Sequence, residues 1–377
     1  MKILITGGAG FIGSHTADLL IKKGHTVRIL DILDPQIHGE NAEFPNYLHP
    51  DIEKVYGDVC QLQDITKAIR GIDAIYHFAA LTGVGQSMYD MRDYVYTNSI
   101  GTATLLESIV KQKIKLKRFI LASSRAVYGE GTHSCQEHGV IYPPLRLRND
   151  LDQGTFTQLC PQCRSPLTPI PTIENRPLDP LSVYAETKKH QEDYCRYAAN
   201  TFGIPITMLR YFNVFGSRQS LKNPYTGVVS IFYNRIMAGQ PLSLYEQGKP
   251  ERDFVHVHDI AKANILALEN QTKSPATFNI GSGNNDTIKD IANALAKACK
   301  KEVKMLDLGE FRQGDIFSCY ADLTQSKQHL NYAPTVSLEH GMQEFVDWAS
   351  TQESLDGYEK TVTELEKYGL FGRAGKT

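Results

Sequence analysis

Short apolar runs rich in β-branched residues alternate along the first half of the chain with longer stretches in which apolar positions recur every three or four residues. Residues 2–6, 26–31, 73–80, 117–123 and 205–212 predict strands, and 93–113 and 182–202 predict long helices. This alternation of strand and helix places helices on both faces of a parallel sheet. An α/β fold follows, with a doubly wound parallel sheet between two helical layers. After residue 213 the pattern loosens into a helix at 228–239, a strand at 252–257, a helix at 258–270, a strand at 276–281 and a helix at 287–300. We read 1–212 as the sheet domain, 213–350 as mainly a smaller α/β lobe over a ligand, and 351–377 as a helical tail. Within that tail Leu355, Tyr358, Val362, Leu365 and Tyr368 fall at helical spacing.

Residues 129–178 break the rhythm, with many Pro, Gly, Cys and polar residues and no clear period. A loop of this length inside a domain is either functional or held by something local. It contains Cys135-x-x-His138 and Cys160-x-x-Cys163, spacings that suit a tetrahedral Cys₃His zinc site. Such a metal would be structural, because four protein ligands leave no position open. Unlinked loop residues or a redox pair are the alternatives at this point.

At 377 residues the chain exceeds a single hydrophobic core, and a formal charge of −2 gives no basic footprint for nucleic acid or an anionic membrane. No apolar run approaches membrane-spanning length, and Met1 leads into a strand rather than a signal peptide. Seven cysteines, an odd number, argue against a disulfide framework and for a reducing compartment, the cytoplasm. Small molecules or other proteins are therefore the expected partners.

The chemistry begins directly after the first strand, at Thr6-Gly7-Gly8-Ala9-Gly10-Phe11-Ile12-Gly13, which opens a helix. Glycines there let the backbone turn, approach a pyrophosphate and pack helix on strand, while the helix N-terminus offers free N–H groups. A second strand ends in Asp31, placed to accept from both ribose hydroxyls, which favours NAD over NADP because a carboxylate repels a 2′-phosphate. The 1–212 domain is thus expected to be an NAD-binding Rossmann fold. Asp58 and Val59 follow a short strand where an adenine edge could lie, with a capping aspartate as the alternative.

Tyr184 and Lys188 stand four apart, on one face of the predicted helix. A phenol titrating near ~10 is a poor base at neutral pH, but a nearby ammonium and a positive nicotinamide ring both favour the phenolate. Ser124 lies at the carboxyl end of a parallel strand, where open α/β sheets place ligands, and can share the substrate oxygen that Tyr184 deprotonates.

Taken together, TGGAGFIG, HFAA (His77 to Ala80), Asn98, SSRAVYG (Ser123 to Gly129), YAETK (Tyr184 to Lys188), LRYFNVFG (Leu209 to Gly216), RDFVHVHD (Arg252 to Asp259) and RQGD (Arg312 to Asp315) resemble the extended short-chain dehydrogenase/reductase family. That family includes the nucleotide-sugar epimerases and dehydratases. The resemblance implies NAD contacts at Gly7, Gly10, Phe11, Ile12, Gly13, Asp31, Asp58, Val59, Phe78, Ala79, Ala80, Asn98, Tyr184 and Lys188. It implies catalysis by Ser124, Tyr184 and Lys188, and contacts of Ser124, Asn213, Arg252 and Arg312 with a nucleoside diphosphate sugar. It also implies a homodimer built on the two long helices.

Related dehydratases carry an Asp-Glu pair where this chain has Arg125 and Ala126, and related decarboxylases carry a Glu there, so simple 4-epimerisation is the expected reaction. LDILDPQIHG (Leu30 to Gly39), the CPQC insertion and the tail ELEKYGL (Glu364 to Leu370) resemble the branch acting on dTDP-L-rhamnose. A UDP-hexose or UDP-hexuronate substrate, a plain NAD-dependent dehydrogenase and a non-catalytic NAD-binding scaffold are the alternatives.

Overall fold

The computed structural model describes residues 1–223, 225, 227–270 and 274–375. Seven strands form the central sheet: β1 (Lys2–Thr6), β2 (Thr26–Asp31), β3 (Glu53–Tyr56), β4 (Ala74–His77), β5 (Arg118–Ser124), β6 (Ile206–Tyr211) and β7 (Ala276–Ile280). All pairings are parallel, in the order β7-β6-β5-β4-β1-β2-β3. Strand order reverses between β1 and β4, and the crevice at their carboxyl ends is where such sheets bind ligands.

Successive residues of a strand point to opposite faces, so the apolar runs feed two cores. Ile3 and Ile5 pack with helices Phe11–Lys22 and Val257–Glu269 through Ala17, Leu20, Ile260 and Ala263. Leu4, between them, packs on the other face with Ile65, Leu105, Ile109 and Cys195 from helices Leu62–Ala68, Gly101–Lys111 and Val183–Phe202. The helix expected over 93–113 is a continuous run over 91–111 with a π-helical stretch at Val95–Ile100. The helix expected over 182–202 spans Val183–Phe202, capped by the Ser182 hydroxyl and ended by Gly203 in the left-handed region.

The expected division at residue 212 is not a single cut. After a first excursion into the lobe, the chain returns as helix Val257–Glu269 and strand β7, whose backbone groups complete the edge of β6. The lobe proper has its own core, in which Val229, Phe232 and Ile236 of helix Val228–Met237 meet Ile291 and Leu295 of helix Ile288–Ala298 and Met342 and Phe345 of helix Leu338–Ala349. The strand expected at 252–257 is two pieces, Glu251–Arg252 and Phe254–His256. Asp253 separates them, and its buried carboxylate accepts from the backbone of Ser282, Gly283 and Ala321.

The 129–178 insertion is ordered rather than a bare loop. Thr132–Cys135 pairs antiparallel with both Gly139–Ile141 and Thr168–Ile170, and a short helix covers Arg148–Asp152. In the tail, helix Tyr358–Lys367 is followed by Phe371–Arg373, which pairs antiparallel with Glu310–Arg312. Residues 376 and 377 of the expected tail lie outside the described residues.

Candidate active site

A cavity of about 1290 Å³ opens at the carboxyl ends of the sheet strands, larger than a single small-ligand pocket. Gly7, Gly10, Phe11, Ile12, Gly13, Asp31, Asp58, Val59, Phe78, Ala79 and Ala80 all line it. The glycine loop is required by its geometry. Gly7 has φ +69° and a Cβ there would sit 2.7 Å from the Ala79 nitrogen, while a Cβ on Gly13 would lie 2.4 Å from the Gly7 oxygen. This is a cradle in which backbone, not side chain, meets an anion at the start of helix Phe11–Lys22.

Asp31 is buried, and its two oxygens accept from the backbone of Ala9 and Leu33 at 2.9 Å each. Those bonds fix the carboxylate at the cavity wall with acceptor capacity left on each oxygen. Asp58 accepts from the Cys60 N–H at 2.8 Å and so caps a turn while also facing the cavity. Asn98 is placed differently from the other expected NAD contacts. It is not among the lining residues, and its amide is consumed by the Leu81 backbone and the Thr187 hydroxyl. Its effect on the cavity runs through the Leu81 backbone that it holds.

Ser124, Tyr184 and Lys188 converge on the same cavity from the end of β5 and the first turns of helix Val183–Phe202. Lys188 Nζ donates to the Ala122 carbonyl at 2.9 Å and lies 5.9 Å from the centroid of the Tyr184 ring. Burial pulls the Lys188 ammonium down to about 7, against a smaller opposing pull from Glu192. Burial likewise raises the Tyr184 phenol above its ordinary value, and the Ser124 hydroxyl and the Arg125 guanidinium pull back against it. The Arg125 guanidinium is thus the protein charge that favours the phenolate here, against the burial that opposes it.

On the lobe side, Asn213, Arg252 and Arg312 also line the cavity. The Asn213 side-chain oxygen is buried with no partner, an acceptor awaiting a donor. Arg252 is more committed than a free phosphate ligand, since it donates to the carbonyls of Glu251, Ile316 and Phe317 and to Asp315. Arg312 shares the other Asp315 oxygen at 2.9 Å. Burial works to raise Asp315, but Arg312 and then Arg252 outweigh it and hold the carboxyl well below the usual range. Sequence reasoning passed over Asp315 as a site residue, although its place in RQGD, three residues after Arg312, was the available signal. It also used Arg125 only as a missing acid, whereas its side chain lines the cavity beside Ser124.

Cys135, His138, Cys160 and Cys163 are brought together, with all four candidate ligand atoms within 4.8 Å of one another. None of them lines the cavity. All seven cysteines are free, and no helix among the described residues is long and apolar enough to cross a membrane.

Comparison with known proteins agrees with this geometry. A dTDP-L-rhamnose 4-epimerase of Burkholderia thailandensis is 36% identical over 359 residues, covering 93% of this chain and 95% of that one. The UDP-glucose 4-epimerase of Thermotoga maritima, solved with UDP-glucose, superposes with a TM-score of 0.74 at 28% identity, covering 93% of this chain and 99% of that one. The UDP-glucuronic acid 4-epimerase of Bacillus cereus, solved with UDP-glucuronic acid and NAD, gives the same TM-score, identity and coverage. Residues 3–150 and 161–281 match the NAD dependent epimerase/dehydratase family, and the chain belongs to it.

Proposed function

We propose that this enzyme inverts carbon 4 of a nucleotide sugar through a transient 4-keto sugar, and that its substrate pair is dTDP-L-rhamnose and dTDP-6-deoxy-L-talose. The observation carrying the reaction is that Ser124, Tyr184 and Lys188 face the cavity that holds the glycine cradle, while Arg125 and Ala126 supply no carboxylic acid beside them. Without an acid and a base at those two positions, loss of a further group from the sugar has no catalyst. The carrier and sugar rest on the Burkholderia thailandensis relative, the nearest in identity of the three described.

NAD, held by the glycine cradle and Asp31, would supply the acceptor and donor for the carbon 4 hydride. Tyr184 takes the carbon 4 hydroxyl proton and gives it back after the ketone has turned over. Ser124 keeps that oxygen within reach, and Lys188, held by the Ala122 carbonyl, stands beside the Tyr184 ring. Arg312 and Asn213 take the diphosphate and its nucleoside, and Arg252 fixes the Asp315 carboxylate that holds Arg312. Besides NAD, a structural zinc on Cys135, His138, Cys160 and Cys163 belongs to this reading, as does the cytoplasm as the compartment for seven free cysteines.

A homodimer is the proposed assembly. Met91, Val95, Tyr96 and Ile100 are each more than two-fifths exposed and follow helical spacing along the 91–111 run, an apolar stripe that a second copy would cover.

The test is incubation with dTDP-L-rhamnose, UDP-glucose or UDP-glucuronate without added NAD, followed by NMR of the products. Inversion at carbon 4 of the dTDP sugar is expected. Inversion of a UDP sugar alone reassigns the substrate, and turnover only with stoichiometric NAD makes the enzyme a dehydrogenase instead.

A further inference from the structure

Outside the reaction centre, the insertion is the largest part of the chain with no role in the chemistry, and its two ends do different things. At the outer end, Cys135 and His138 sit on a hairpin and Cys160 and Cys163 on a turn closed by the Arg164 N–H, which donates to the Cys160 carbonyl at 2.9 Å. Cys135 Sγ lies 3.7 Å from Cys163 Sγ and 3.5 Å from His138 Nδ1, and Cys160 Sγ lies 3.6 Å from the same nitrogen. A tetrahedron with zinc–sulfur bonds of about 2.3 Å and a zinc–nitrogen bond of about 2.0 Å has edges of roughly 3.5–3.8 Å. The spacing fits four ligands around one ion and is far from the ~2.05 Å of a disulfide. Only Ile141 and Leu167 join these cysteines as a buried apolar cluster, too small a core to hold the segment by itself.

At the inner end the insertion grips the lobe side of the cavity. Arg146, 6% exposed, forks onto the Glu246 carboxylate and donates to the Asp315 carbonyl at 3.0 Å. Glu130 accepts from the backbone of Phe317 and Ser318 at 2.7 and 2.8 Å. Leu151 and Phe156 pack on Phe311, the neighbour of Arg312. Glu246, Arg312 and Asp315 all line the cavity, so the Arg146 contacts fix a piece of its wall, and the other two brace the segments on either side of Asp315.

We infer that a zinc ion on Cys135, His138, Cys160 and Cys163 clamps the insertion, and that the clamped insertion, through Arg146, holds Glu246, Arg312 and Asp315 in the geometry that binds the nucleoside diphosphate. The inference rests on the epimerase reading for the identity of that ligand. Three thiols give up their protons on binding and the site is closed, so the metal takes no part in turnover.

Elemental analysis of the purified full chain is expected to give one zinc per chain. Less than about 0.2 per chain, or a thiol count short by two through a disulfide, overturns the site. The Cys160→Ser/Cys163→Ser variant should lose the metal and melt earlier, with NAD content unchanged and dTDP affinity by calorimetry down about tenfold. Should that variant fail to fold, Arg146→Met serves in its place: zinc stays at one per chain while dTDP affinity falls by about the same factor. Full zinc with unchanged dTDP affinity in Arg146→Met overturns the coupling. Metal content and dTDP affinity are read without turnover, so a failed epimerase reading looks different: both results hold in a protein that inverts no sugar.

Discussion

Tyr184 enters the reaction with burial working against its ionised form, and the Ser124 hydroxyl and the Arg125 guanidinium only partly offset this. The phenol, raised above its ordinary value, is therefore expected to be protonated at neutral pH, and a positive nicotinamide ring beside it would favour its ionisation. Tyr184→Phe should lower kcat by at least about a thousandfold while the purified variant still carries NAD; single-turnover spectroscopy and cofactor content check the two halves. Gly7→Ala should do the reverse, because its φ of +69° and the 2.7 Å approach to Ala79 leave no room for a methyl. A loss of stability of about 1–2 kcal/mol and of bound NAD is expected, read by thermal melting and by the cofactor released on denaturation. Much of this site was legible, because glycine spacing and the Tyr-Lys step encode local geometry. What the sequence hid was tertiary satisfaction. That Asn98 spends its amide on Leu81 and Thr187, or that Arg252 is filled by the Ile316 and Phe317 carbonyls and Asp315, depends on partners far along the chain.

Strands covered on both faces carry mostly apolar, β-branched runs, interrupted here by Arg28 and Arg210, and β1, β2, β5 and β6 were readable to within a residue or two. The insertion gave no such signal, since strands of three or four residues with a metal-type cluster in place of a core carry neither period. The tail was readable as an amphipathic helix but not as a wall. Tyr358, Thr361 and Leu365 line the cavity, Glu364 accepts from the Tyr89 hydroxyl at 3.0 Å, and Tyr368 stacks on Tyr89 with centroids 4.5 Å apart. Ending the chain at residue 356 should open the substrate side. KM for the sugar nucleotide is expected to rise about tenfold or more with NAD content unchanged, as steady-state kinetics and cofactor analysis would read.

At the scale of the whole molecule, acid sensitivity follows from three buried histidines. Burial holds His15 at about 4, and His77 and His256 at about 3, against an ordinary value near 6.5. The fold keeps them neutral while the unfolded chain takes up protons, so their contribution is complete above about pH 6.5 and is lost as pH falls toward 4. Each can remove up to about 1.4 kcal/mol per pH unit in that window. Melting curves between pH 7 and 5 should show a decline steeper than one proton, and His77→Gln should flatten it by about one proton; a flat profile would refute the assignment. The return of the chain to the sheet has a consequence for biosynthesis. All six residues of β6 are buried, yet the neighbour that shields its outer edge, β7, is translated more than sixty residues later. On the ribosome, a greasy, unpaired strand must wait for that delayed companion, so a transcript stopped short of it would yield a sticky, aggregation-prone product rather than half an enzyme.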